Sequence, residues 1–331
     1  MVARFQGFTG NIKLLLEAGI AEHLGELPGA MSVLGADGFT GILAGGKRIR
    51  GSLVCLVAAA LGGALANALP RAVAVELIHA ATLIHDDFVD QHRLRRNRPS
   101  LWTLAGARRA VLLGDVIFAS AIHMMSELGR EDGLIVSRVI AEVSRGAYQE
   151  PLEPSSLLKL IETDTFDAAI YERIIHLKTA VLFGSACQLG AVAARADDRL
   201  QQAWQRYGLR IGEAYQIADD LHEVERCLAS RFVVGGEMVS LAPALLFFVN
   251  DSKPCVLGTL RAGAAVLTGD LLHYLAAAAK VMKAEIDRRL QSALAAIEQD
   301  LPDNDYTLLA QRTPHDIIRM FGEETSGVSS P

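Results

Sequence analysis

Much that would assign this 331-residue chain to a familiar class is missing from it. Its four cysteines, Cys55, Cys187, Cys227 and Cys255, have no metal-like spacing, and three of them sit in apolar runs. They read as buried free thiols in a reducing compartment. Linkers, internal repeats and low-complexity tracts are absent, so a single domain over 1–331 is expected, with a frayed polar tail over 323–331. The start of the chain lacks the basic, apolar, small-residue order of a secretory signal, which predicts a cytoplasmic protein. A net charge of −6 gives no support to broad nucleic-acid binding. The uncharged run Leu53–Leu69 has 17 residues, short of the roughly 20 a membrane span needs. Its Gly62, Gly63 and Asn67 suit close packing, so a buried central helix is expected there. The alternation that marks β-strands is also scarce. What is present is Ala- and Leu-rich segments between Gly, Pro and polar breaks, with 51% hydrophobic residues, enough for a substantial core. That pattern predicts an all-α fold of stacked helices.

Two acidic segments stand inside these apolar stretches, His85-Asp86-Asp87-Phe88-Val89-Asp90 and Gln216-Ile217-Ala218-Asp219-Asp220-Leu221-His222-Glu223. At helical pitch Asp86 and Asp90 share a face, as do Asp219 and Glu223. Each cluster, taken alone, is equally compatible with a solvated helix end. Taken as facing walls, the carboxylates repel one another unless hard divalent cations sit between them, and Mg²⁺ characteristically bridges a few carboxylates to phosphates. A diphosphate ligand is therefore expected.

The cations that such a ligand needs are nearby in sequence. Arg93, Arg95, Arg96 and Arg98 crowd the segment after the first acidic cluster, closed by Pro99. Upstream, Gly45-Gly46-Lys47-Arg48-Ile49-Arg50 places three cations beside a glycine pair at the start of an apolar helix, where backbone N–H groups also favour anions. His79 precedes Asp86 by two turns, a position where a satisfied core histidine is the common outcome. Lys178-Thr179 falls in mid-helix, where a lysine ordinarily snorkels to solvent.

The ordered set G-G-K-R-x-R, H-x6-D-D-x-x-D, R-R-x-x-P, K-T and Q-x-x-D-D-x-x-E resembles the trans-isoprenyl diphosphate synthases, or polyprenyl synthetases, from about Gly45 to Glu223. The resemblance implies an isoprenoid-synthase-type helical bundle around a central cavity. It also implies Mg²⁺ dependence and head-to-tail condensation of an allylic diphosphate with isopentenyl diphosphate. Asp86 and Asp90 would carry two ions and Asp219 a third, with Asp87, Asp220 and Glu223 as further candidate ligands. Arg95 and Lys178 would hold the allylic diphosphate. Lys47, Arg50, His79 and Arg96 would hold that of isopentenyl diphosphate, and Thr179 and Gln216 would face the carbocation. Ala81, Thr82, Ile78 and Ile122 would line the tunnel for the growing tail. Small residues at 81 and 82 predict a product beyond about four isoprene units, although such residues are ordinary in a packed bundle. A homodimer is the expected assembly, and a heteromeric partner is the alternative.

Some positions depart from the family pattern. Glu223 stands where Asp is usual, and Asn97 and Ser100 replace Gly and Thr. Beyond Glu223 the segment Glu225 to Pro243 is short, and Glu237 stands about where a phosphate-binding lysine is expected. If Glu237 faces the allylic diphosphate, it repels it. These departures keep a weakly active or non-catalytic subunit of a two-component synthase in view. A class I terpene cyclase is the third reading, but its N-x-x-x-S-x-x-x-E-type second site has no convincing match.

Overall fold

The computed structural model describes residues 4–25, 46–96, 98–150, 154–167, 169–267, 269–299 and 301–326. Gly45, Asn97 and residues 327–331 of the expected tail lie outside the described residues. The helices are α1 (Phe5–Gly25), α2 (Ile49–Ala60), α3 (Leu65–Val89), α4 (Leu101–Ala105), α5 (Ala107–Leu128), α6 (Arg130–Gln149), α7 (Pro154–Glu162) and α8 (Ile170–Ile174). A π-helical segment, Ile175–Ala180, then leads into α9 (Val181–Ala193), followed by α10 (Asp198–Ser230), α11 (Gly235–Phe248), α12 (Lys253–Ala262), α13 (Gly269–Ala296) and α14 (Asp305–Ser326).

The expected all-α fold is found, with local corrections. Leu53–Leu69 is not one helix: α2 ends at Ala60, and Gly62 turns the chain with φ 76° before α3 begins. A side chain at 62 would be strained in that left-handed conformation. Two small antiparallel ribbons interrupt the helices. In the first, β1 (Leu94–Arg95) pairs with β2 (Arg98–Pro99), and in the second, β3 (Phe232–Val234) pairs with β4 (Ala264–Val266). The segment after Glu223 is not a loop, because α10 continues to Ser230 and α11 already starts at Gly235. The backbone of α14 runs to Ser326.

Packing follows the apolar patterning. Leu53 to Ala58 of α2 are all at most 1% exposed, the buried centre that the sequence led one to expect. The 33-residue α10 packs against α9, α13 and the π segment. A Cβ on Gly212 would come within 2.6 Å of the Ala180 Cα, so only glycine permits that approach. Apolar segments long enough to cross a membrane by length and composition are Ala107–Leu128 and Ile170–Ala193. The second is mostly buried in the bundle. Helix α5 packs on α3 and α6 and leaves Leu112 and Val116 52% and 45% exposed.

The two ends of the described chain meet. The Phe5 N–H donates to Asp316 Oδ2 on α14 at 3.0 Å, and Lys47 Nζ donates to the Met320 carbonyl of the same helix. Phe321 packs edge-on to Tyr215.

Candidate active site

Helices α3 and α10 bring the two acidic segments together around two cavities of opposite character. The first, of about 400 Å³, is lined by Lys47, Arg48, Arg50, Arg95 and Arg96, with His79, Tyr215, Glu76 and Asp87 among the other lining groups. The second, of about 470 Å³, is lined by Asp90, Glu150, Asp219, Asp220 and Glu223, with Lys178 and Gln216. Helical pitch explains the division, since Glu76, Ala80, Leu83 and Asp87 on one face of α3 all look into the cationic cavity.

In the cationic cavity the polar groups already hold one another. Arg50 Nη1 lies 3.0 Å from His79 Nε2, and its guanidinium carbon lies 4.5 Å from the centre of the Phe183 ring. Burial, reinforced by Arg50, Arg96 and Arg95, drives the His79 pKa well down, so its ring is neutral and accepts from Arg50. Burial also lowers Arg50. Arg48, in a left-handed backbone at φ 55°, is paired with Glu76 at 3.5 Å. Arg95 Nε and Nη2 grip the buried Asp87 carboxylate at 2.7–2.8 Å. Asp87 therefore does not stand with the candidate metal ligands. It faces the cationic cavity inside an arginine fork, one residue and 100° of helix away from Asp86.

The acidic cavity is the reverse. Asp86 does not line this cavity but feels its charges: burial raises it to about 6, opposed by Lys178 and reinforced by Asp90 and Glu150. Asp220 rises to about 7 through burial, despite a 2.7 Å hydrogen bond from the Tyr171 hydroxyl, with Asp219 adding repulsion. Asp219 is exposed to the cavity, yet enough protein surrounds its carboxylate to raise it as well, and burial raises Glu223. Among the described residues no three His, Cys, Asp or Glu side chains converge tightly enough to hold an ion alone. Carboxylates from different helices with raised pKa values do fit a hard cation whose shell is completed by water and phosphate oxygens.

Lys178 is the cavity's cation. Burial pulls its pKa down, but Glu150, Asp86 and Asp90 outweigh that and the net shift is upward. Its Nζ donates to Glu150 Oε2 at 2.6 Å. The helix carrying it departs from the expected α form: the Val181 N–H reaches the His176 carbonyl five residues back, a π turn of the kind found at functional sites. Gly146 of α6 lets this turn approach closely, since a Cβ there would meet Leu177 Cβ at 2.8 Å. Thr179 donates to Gln216 Oε1 at 2.6 Å, and the Gln216 amide nitrogen faces Asp219 and Asp220 at 3.4 and 3.2 Å.

Glu237 does not line the acidic cavity. Its carboxylate accepts from the Val234 N–H at the start of α11, at 2.9 Å, and from Arg226 at 3.1 Å. Arg226 lies 3.6 Å from Glu223 as well, so the missing lysine is offset by an arginine on α10. The tunnel residues are in the packed core: Ile78 and Ala81 are fully buried, Ile122 packs against the core, and Thr82 bonds the His79 carbonyl. Neither cavity is lined by any of the four. Glu150, Tyr171 and Tyr215 line the cavities but were absent from the sequence reading. Tyr171, two turns before Lys178, had a detectable spacing; Glu150, a lone acid before a proline, had none.

This fold and site define an all-α protein with a carboxylate-walled cavity beside an arginine-walled one. The polyprenyl synthetase family model matches residues 37–227, and the chain belongs to that family of prenyltransferases. It is 31% identical to the geranylgeranyl diphosphate synthase of Mycobacterium tuberculosis over 288 residues, which cover 83% of this chain and 81% of that one. It is 37% identical to heptaprenyl diphosphate synthase component 2 of Geobacillus stearothermophilus over 179 residues, spanning 54% of each. The fold is similar to the crystal structure of a polyprenyl synthase from Caulobacter crescentus complexed with calcium and isoprenyl diphosphate, with a TM-score of 0.71 at 23% identity, covering 96% of this chain and 98% of that one.

Proposed function

We propose that the chain is a Mg²⁺-dependent trans-prenyltransferase that joins an allylic diphosphate head-to-tail to isopentenyl diphosphate and releases a product beyond about four isoprene units, a length supported by the small side chains at Ala81 and Thr82, past which the tail would run. The observation that carries this reading is the separation of charge into two cavities, one rich in carboxylates and one rich in arginine.

In this reading Asp86, Asp90 and Asp219 would hold the Mg²⁺ ions, three with substrate bound, and Asp220 and Glu223 are further candidate ligands. When bound by these residues, Mg²⁺ would supply positive charge that stabilises a diphosphate leaving group. Lys178 adds a fixed cation from the π turn, and Arg95 adds another by leaving Asp87. Lys47, Arg50, His79 and Arg96 seat the second diphosphate, with neutral His79 holding Arg50 in place. Thr179 and Gln216 turn neutral oxygens toward the carbocation, which stabilise it without capturing it. The departing pyrophosphate takes the last proton, since every carboxylate nearby is committed to a cation. Exclusion of water keeps the cation from becoming an alcohol.

We read the chain as one cytoplasmic domain working as a homodimer, with the exposed Leu112 and Val116 of α5 set against a second copy. A second reading, a subunit requiring a different partner, is favoured by the similarity to a protein titled component 2. Incubating the purified chain with isopentenyl diphosphate and a set of allylic primers decides. Elongation supports the first reading, inactivity relieved by a copurifying protein supports the second, and hydrocarbon release would indicate a terpene cyclase and defeat both.

A further inference from the structure

Two turns before Asp220, on the same face of α10, Glu213 enters a buried ion cluster to which the proposed reaction gives no role. Arg289 of α13 is 6% exposed, and its three nitrogens donate to Glu213 Oε2 at 2.6 Å, Glu285 Oε1 at 2.6 Å and Glu172 Oε1 at 2.9 Å. Glu213 of α10 is equally buried and also accepts from Arg210 at 2.7 Å. Its other oxygen lies 3.5 Å from His176 Nδ1. Burial would raise Glu213, but His176, Arg210 and Arg289 together bring it down to about 2.

Two members of this cluster, Glu172 and His176, belong to the segment that carries Lys178 and Thr179. The same segment is tied to α10 by Tyr171 to Asp220 and by Thr179 to Gln216. Residues 171, 172, 176 and 179 thus each hold a polar partner on α10 or α13, and the π turn lies among them. A π turn accommodates one extra residue per turn, rotating everything downstream of it relative to a regular helix. It persists only where its surroundings fix it.

We propose that Arg289 is a positioning residue: by gripping Glu213 and Glu172 at once it pins the turn 170–180 onto α10 and so fixes the direction in which Lys178 enters the acidic cavity. This rests on the reading of that cavity as the allylic diphosphate site. Removing Arg289 alone would leave Glu213 buried and uncompensated, which strongly destabilises folded proteins. The informative variant is therefore Arg289→Met combined with Glu213→Gln, which removes both buried charges.

Two readouts separate this inference from the functional reading. The first is the Lys178 ammonium signal in ¹⁵N NMR of the full chain without substrate, which reports its bond to Glu150 whether or not the chain elongates. In the double variant the signal should shift toward that of a solvated lysine. The second is kinetic: KM for the allylic diphosphate should rise about tenfold while kcat falls less than about threefold, and Arg289→Lys should recover part of the loss. A folded double variant with an unmoved Lys178 signal and an unchanged KM would overturn the proposal. Should the double variant fail to fold, Arg289→Lys alone decides: lysine cannot grip three carboxylates in one plane, so an unchanged signal and KM there also refute it.

Discussion

The two cavities differ in how their charges are balanced, and that difference says what each requires. The cationic cavity includes arginines with internal partners: Arg95 is held by Asp87, Arg50 by His79, and Arg48 by Glu76. The acidic cavity has five lining carboxylates and one lysine, and burial raises Asp220 and Glu223. A preassembled wall of cations can receive an anion directly. A wall of carboxylates with raised pKa values is stable only when protons or metal ions supply the missing charge.

The sharpest way to break this contrast is to remove carboxylates. Asp86→Ala and Asp219→Ala should each lower turnover by about 10²–10³-fold, and Glu223→Ala by less, because Glu223 already shares Arg226. Near-normal turnover in Asp86→Ala would remove the metal assignment. In the cationic cavity, His79→Ala should raise KM for isopentenyl diphosphate about tenfold and leave kcat within about threefold, since Arg50 loses only its orienting acceptor. A fall in kcat with KM unchanged would show that the two cavities are not divided as described.

Protons and metal ions should compete in one cavity only. Asp86 and Asp220 titrate near 6 and 7 in the folded chain, above the ordinary carboxylate value. The folded state therefore retains protons that the unfolded chain has released, and these groups make stability fall as pH rises from about 4 to about 7. Thermal melting in chelator should show that decline. The increase in melting temperature on adding Mg²⁺ should grow over the same range and level off above it. An increment that is equal at pH 5 and pH 8 would contradict it.

Two smaller effects probe residues outside both cavities. Ala81→Phe should shorten the product, measured by chromatography of the dephosphorylated prenols, at a stability cost of about 1–3 kcal/mol for overpacking a fully buried site. Unaltered product length would place the tail elsewhere. Glu237→Lys loses a helix cap and its bond to Arg226, so melting should drop by about 2 °C with KM for the allylic substrate unchanged. A lower KM would mean that position 237 does face the substrate.

The sequence carried the helical fold and the pairing of the two acidic segments, because both follow from short-range periodicity: apolar stripes, and carboxylates one turn apart. It was misleading where direction depends on long-range packing. Asp86 and Asp87 look equivalent in a D-D pair, yet at positions 100° apart on α3 Asp87 faces the cationic cavity while Asp86 lines neither and instead feels Lys178, Asp90 and Glu150. Glu237 looks hostile to a phosphate until Arg226, eleven residues earlier, takes up its charge. The π turn has no local signal at all, since it is imposed by partners on α6, α10 and α13.

The bond from Phe5 to Asp316 joins residues 311 positions apart, and Lys47 reaches 273 positions along the chain to Met320. At synthesis rates of about 5–20 residues per second, α1 therefore emerges on the order of 15–60 seconds before the helix it packs against. Until α14 leaves the ribosome, the apolar face of α1 lacks one of its partners and the bond from Lys47 to the Met320 carbonyl cannot form. A chain that stops short of α14 therefore leaves the N-terminal helix without the Asp316 acceptor for its first backbone N–H.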